Sequence, residues 1–206
     1  MNDGVLTNLI LLIMIILVST GWFQSIVSEI GKGKVIFIFL AIFILSMIEL
    51  PFNYQWKVNM GGFIVPMVFY FYFWIKGDKA DKPYLFAATT LLGAIYFLFK
   101  ELIRLDPILM LWNEQIEITF FLVMIVLFVS NKLVVRLALL IGGLLLGEIF
   151  YSFHHRTHFP QIILGNALQR DILWLSLIQL YFFQHLMILV KNWVKDKQLI
   201  KYLRIR

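Results

Sequence analysis

The sequence predicts an all-α polytopic membrane protein: a transmembrane helical bundle of about seven spans, with the N-terminus outside and the C-terminus in the cytoplasm. Three observations carry this expectation. Apolar residues make up 61% of the 206 positions and charged residues only 15%, against about 45–50% and about 25% in soluble domains. The apolar residues fall into seven runs separated by short polar breaks. Mean hydropathy is +0.87, more apolar surface than a water-soluble core of this size can hide. Inside a bilayer no water satisfies backbone groups, so each spanning run must be helical.

The first run extends from Val5 to Phe23 and is read as a retained helix. No Lys or Arg precedes Leu6, and no small-x-small cleavage site follows the run, so a secretory signal is not expected. The second covers Val35 to Leu50 and stops at Pro51; Glu49 marks that boundary. The third, Met60 to Ile75, contains Pro66, which predicts a kink because one backbone donor is missing. The fourth spans Pro83 to Phe99, and the fifth lies within Pro107 to Ser130. The sixth runs from Leu133 to Phe153 and the seventh from Ile172 to Val190. Several sit near the lower limit of about 17 residues for crossing the hydrocarbon core.

Orientation follows from the basic residues in alternate loops. Of 18 Lys and Arg, thirteen fall on one side: Lys32, Lys34, Lys76, Lys79, Lys82, Lys132, Arg136, and the tail from Lys191 to Arg206. The other five are Lys57, Lys100, Arg104, Arg156 and Arg170. The richer side is cytoplasmic by the positive-inside rule.

The chain reads as one integral membrane helical domain, 1–206, in the cell membrane, with 191–206 as a basic cytoplasmic tail. Its partners are the lipid bilayer, anionic inner-leaflet lipids at the tail, and a membrane protein partner or second copy. The tail has no broad basic face, so nucleic acid is not expected. With no cysteine, disulfides and thiolate chemistry are excluded. No cofactor is expected.

Ionisable residues near apolar spans are costly and mark candidate sites. Glu148 lies at the end of Gly-Gly-Leu-Leu-Leu-Gly-Glu, roughly 22 Å along the helix from Leu133, toward the outer face. Glu114 and Glu117 share one helical face by their i,i+3 spacing. These three carboxylates, with Asp106 nearby, form a candidate outward-facing ligand or ion site; the alternative is a hydrated interfacial turn. His154, His155 and His158 are candidate metal ligands, with His154 and His158 at i,i+4 spacing and Glu148 as a possible carboxylate partner. Pro160 ends any helix there, and no His-Glu-x-x-His pattern is present. An exposed loop is the plainer reading, and His185 is expected to hydrogen-bond another helix.

Gly143 and Gly147 have the GxxxG spacing that permits close helix packing, within the bundle or between copies. The connector Gln161–Asp171 is too polar to span and reads as an interfacial lead into the seventh helix; a simple connector is the plainer reading, and a cap over an outward-facing cavity is the alternative.

In size, span count and the Leu105-Asp106-Pro107 to Trp112 segment, the chain resembles the YphA-type family of small multi-pass membrane proteins of endospore-forming bacteria. The resemblance implies envelope or sporulation context and carries over no catalytic residue. No catalytic residue is assigned on any other ground: nucleophile-elbow, Walker and dinucleotide motifs are absent. The leading expectation is a non-enzymatic structural or interaction protein of the bacterial envelope. The alternatives are a small transporter or substrate-binding membrane subunit using the outer carboxylates, and a metal-dependent membrane enzyme using the histidines.

Overall fold

A computed structural model describes residues 3–21, 31–76, 82–106, 108 and 112–203, with backbone alone at 192 and 194–203. The order of elements is α1 (Val5–Thr20), α2 (Lys32–Leu45), β1 (Glu49–Pro51), β2 (Trp56–Asn59), a π-helical turn (Met60–Ile64), α3 (Val65–Lys76), α4 (Lys82–Leu105), α5 (Glu114–Val129), α6 (Leu133–His154), β3 (Ile162–Leu164) and α7 (Ala167–Leu203). Among the described residues, Lys82–Leu105, Leu133–His154 and Ala167–Lys191 are long and apolar enough to cross a membrane, and Val5–Thr20 and Met60–Lys76 are shorter apolar helices. Lys79, the Pro107–Leu111 stretch apart from Ile108, and the side chains of the basic tail beyond Trp193 lie outside the described residues.

Helices that follow one another in the chain run in opposite directions, so alternate helices are parallel. α4 packs against α6 along its whole length in this parallel sense. Gly142 lies beside Thr89, Gly143 beside Leu92, and Gly147 beside Gly93 and Tyr96. The GxxxG face is therefore used inside the bundle. A Cβ at Gly143 would sit 2.7 Å from Leu92 Cδ2, and one at Gly147 would sit 2.8 Å from the Gly93 carbonyl and collide with the Tyr96 ring. Only the missing side chains let the two backbones approach this closely. The core continues through Leu122, Val126, Leu139, Leu140, Leu144, Ile172 and Leu180. Outside it, Leu91 is 63% exposed, Phe128 85% and Phe182 60%, a surface suited to hydrocarbon and costly in water.

Several boundaries differ from the sequence expectation, each for a local reason. The second apolar run ends as helix at Leu45, because its last residues turn into β1. Asn59 supports that exit: its Nδ2 donates to the Ser46 carbonyl at 2.9 Å, and its Oδ1 accepts from the Gly62 N–H at 2.8 Å. Pro66 does not kink the middle of a span. It falls at the change from the π-turn to α3, where the wider turn already interrupts the regular bonding and a missing N–H costs little. α4 continues a turn and a half beyond Phe99, so Lys100 and Arg104 are helical residues and not loop cations. α7 starts five residues before Ile172, with Asn166 as its cap: Asn166 Oδ1 accepts the Gln169 N–H at 2.9 Å.

The all-helical expectation also misses a small three-stranded sheet in the order β1-β2-β3. β1 pairs with β2 antiparallel and β2 with β3 parallel. Glu49, expected only as a boundary, lies in β1 opposite Asn59 and pairs with Lys57 at 3.8 Å. The sheet lies across one end of the bundle, where α4 and α6 finish and α1, α3, α5 and α7 begin. At this end the buried Asp171 carboxylate accepts from the Gly4 N–H at 2.8 Å, the Thr7 N–H at 2.7 Å and the Thr7 hydroxyl at 2.6 Å. A side chain of α7 thus caps the start of α1, whose free N–H groups and dipole favour an anion. At the opposite end Arg136 of α6 donates to the Ser130 and Leu127 carbonyls, closing the end of α5.

Replacing Gly147 with alanine should lower stability by about 1–3 kcal/mol, because the added methyl meets backbone and a fully buried ring. A thermal melt in detergent measures this, with exposed Leu91→Ala as the control; equal melting of both variants would refute the close α4–α6 packing.

Candidate functional site

The polar groups under the sheet form two neighbouring clusters on the ends of α4 and α6. The first is centred on Glu148, which is 1% exposed. Its Oε2 is 3.1 Å from Lys100 Nζ and accepts from the Tyr96 hydroxyl at 3.2 Å, while its Oε1 accepts from Asn166 Nδ2 at 3.2 Å. The Lys100 ammonium stands 4.1 Å from the centroid of the Tyr151 ring and 5.7 Å from that of Tyr96. Both charges are desolvated, and each is compensated by the other, by hydrogen bonds and by aromatic faces.

This ion pair forms part of the wall of a cavity of about 530 Å³, a volume usual for small-molecule sites. Arg104, Glu114, Tyr151, Ser152, Gln161 and Asn166 add to its polar lining, and Ile162 and Ile163 of β3 close it from the sheet side. Arg104, Phe159 and Gln161, also in the lining, are exposed, so the cavity reaches the surface at the sheet end. The connector before α7 therefore covers the cavity directly.

Of the three candidate carboxylates, Glu114 and Glu148 share this cavity. Glu117 is buried further along α5 and does not line it. Asp106 is exposed and accepts from the Ile108 N–H at 3.1 Å.

The second cluster joins Glu101, His154 and His155, whose possible ligand atoms all lie within 4.8 Å of one another. His155 Nε2 is 2.8 Å from Glu101 Oε2, and Arg104 pairs with the same carboxylate from the exposed side. His158 is outside that group, although its ring centroid is 5.8 Å from that of His155. α6 ends at His154, so the i,i+4 face expected for His154 and His158 is not formed. The His158 ring is exposed beside the Thr157 hydroxyl at 3.3 Å. Glu148 is likewise committed to Lys100 and not to the imidazoles. His185 is exposed and stacks on Tyr181, one turn away on its own helix.

Sequence reasoning missed Lys100, Tyr96, Glu101, Asn166 and Asp171. One signal was available: Lys100 follows Phe99 directly with no turn residue, and a cation at a span end implies a buried partner. The match of Lys100 with Glu148, 48 residues away, is a property of the packed helices.

The model of the YphA-like integral membrane protein family matches residues 9–202 of the chain. No curated protein and no solved structure matches it.

Removing one member of the ion pair should be far more harmful than neutralising both. Lys100→Met is expected to cost about 3–5 kcal/mol, and adding Glu148→Gln to it should restore most of that loss. Chemical or thermal unfolding of the two variants in detergent decides: additive losses would mean that the pair is not coupled.

Proposed function

Because the chain belongs to the YphA-like integral membrane protein family, we propose that it is a substrate-binding or transporting subunit of the bacterial cell membrane, holding a small polar solute in the outward end of a seven-span bundle. The observation that carries this reading is the cavity of about 530 Å³ that reaches the surface beside two cations and two carboxylates. A purely structural bundle gains nothing from such a space, since polar groups left facing it lose packing and must be hydrated. The lining suits a solute with both a cationic and an anionic group: Glu114 faces the first, and Arg104 the second. Lys100 and Glu148 neutralise each other and act as a fixed polar wall.

The orientation rests on charge. The sheet end carries the few basic residues outside the rich set, which supports its placement outside, with α1 starting there and α7 ending in the cytoplasm. A solute would then enter from the external medium, between Arg104 and the Phe159–Gln161 segment.

Two measurements test these statements. A panel of zwitterionic amino acids, neutral sugars and inorganic phosphate is screened by thermal shift in detergent. A zwitterion should raise the melting temperature of the wild type by several degrees, and Glu114→Gln should abolish that shift. No response to any compound would return the protein to a structural role. For orientation, the natural absence of cysteine allows single-cysteine labelling in intact cells. Tyr54→Cys, at a position 99% exposed on the sheet end, should react with an impermeant maleimide, and Lys34→Cys only after lysis; the reverse pattern would invert the topology.

A further inference from the structure

We propose that Glu101, His154 and His155 form a zinc site that ties the end of α4 to the end of α6. None of the three residues belongs to the cavity lining, and Arg104, which pairs with Glu101, stands between the cluster and the cavity. Two imidazoles and a carboxylate are a donor set that zinc accepts, leaving a fourth position for water. Their ligand atoms lie within 4.8 Å of one another, and closure around one ion requires them to approach to about 3.3 Å, the spacing set by zinc bonds of about 2.0–2.1 Å.

The arrangement supports that closure. His155 is held in place, 3% exposed, with its Nε2 already 2.8 Å from Glu101 Oε2. His154 is exposed at the helix end, its ring 5.5 Å from that of Phe97. Its ring stands nearly perpendicular to that of His155, at 82° and a centroid distance of 4.8 Å. Arg104 holds the carboxylate from the other side, with Nε donating to Oε2 at 3.1 Å and Nη2 paired to Oε1. It therefore orients the carboxylate as the outer partner of a metal ligand does. Each carboxylate oxygen has a second lone pair, so zinc takes the place of the proton between His155 Nε2 and Glu101 Oε2. His155 then carries its one proton on Nδ1, and the two imidazoles bind as neutral ligands. The segment after the site is anchored independently: Gln55 Nε2 donates to the Arg156 and Phe159 carbonyls. The ion therefore sits between elements already close, and its effect is to fasten the α4 and α6 ends.

The test is calorimetric titration of zinc chloride into the purified full chain in detergent, with an affinity tag that contains no histidine. One zinc per chain at micromolar affinity is expected. Glu101→Gln and His154→Ala should each weaken binding about tenfold or more, since even outer partners of metal ligands are worth that much. His158→Ala should bind as the wild type does. If Glu101→Gln fails to fold, exposed His154→Ala carries the test alone. Absence of stoichiometric binding at millimolar zinc overturns the proposal, as does loss of binding in His158→Ala with retention in His154→Ala.

Discussion

The arrangement of the sheet end of the molecule depends on the close parallel approach of α4 and α6. Three glycines on α6 and Gly93 on α4 remove the side chains that would hold the helices apart. The approach brings Lys100 within 3.1 Å of Glu148, where both side chains are buried. Neither charge is tolerable there without the other, since an isolated buried ion costs several kcal/mol even after relaxation. The same parallel packing places Glu101, the residue after Lys100, beside His155, about two turns beyond Glu148. The ion pair, the polar cavity and the histidine cluster thus belong to one helix–helix contact.

The ends of the other helices follow the same demand that polar groups be satisfied by protein. Asp171 closes the first turn of α1, Asn113 that of α5, and Asn166 that of α7. The Ser46 carbonyl at the end of α2 accepts from both Asn59 and Arg170. The three-stranded sheet extends this pattern to the connecting segments, pairing their backbones across the bundle end. Such pairing leaves the cavity as a defined space beneath a held cover. A loose set of loops would have collapsed into it.

The apolar runs were legible because bilayer thickness and backbone hydrogen bonding leave one solution for a long hydrophobic segment, and all seven correspond to helices. Their ends were less legible. Lys100 reads as a loop cation when charge alone decides, yet its segment is helical because Glu148 compensates it. Ile48 to Pro51 reads as continued helix, yet the chain leaves the helix to pair with β2. The carboxylates were found and only partly grouped: Glu114 and Glu148 meet at one cavity, while Glu117, on the same helical face as Glu114, lies too far along the axis. Of the histidines, His154 and His155 meet Glu101, while the helix ends at His154 and His158 lies in the turn beyond it.

By itself, the sequence determined that this is an integral membrane protein built from helices, that Gly143 and Gly147 form a contact face, and which ionisable residues stand near the ends of spans. Those features are local: they follow from composition and period along one segment. The tertiary structure alone decided that the glycine contact lies within the bundle, that Lys100 neutralises Glu148, and that Glu101 joins His154 and His155. It also decided that strands close one end. Each of these is a pairing between segments tens of residues apart, and hydrophobic period carries no information about which segment faces which.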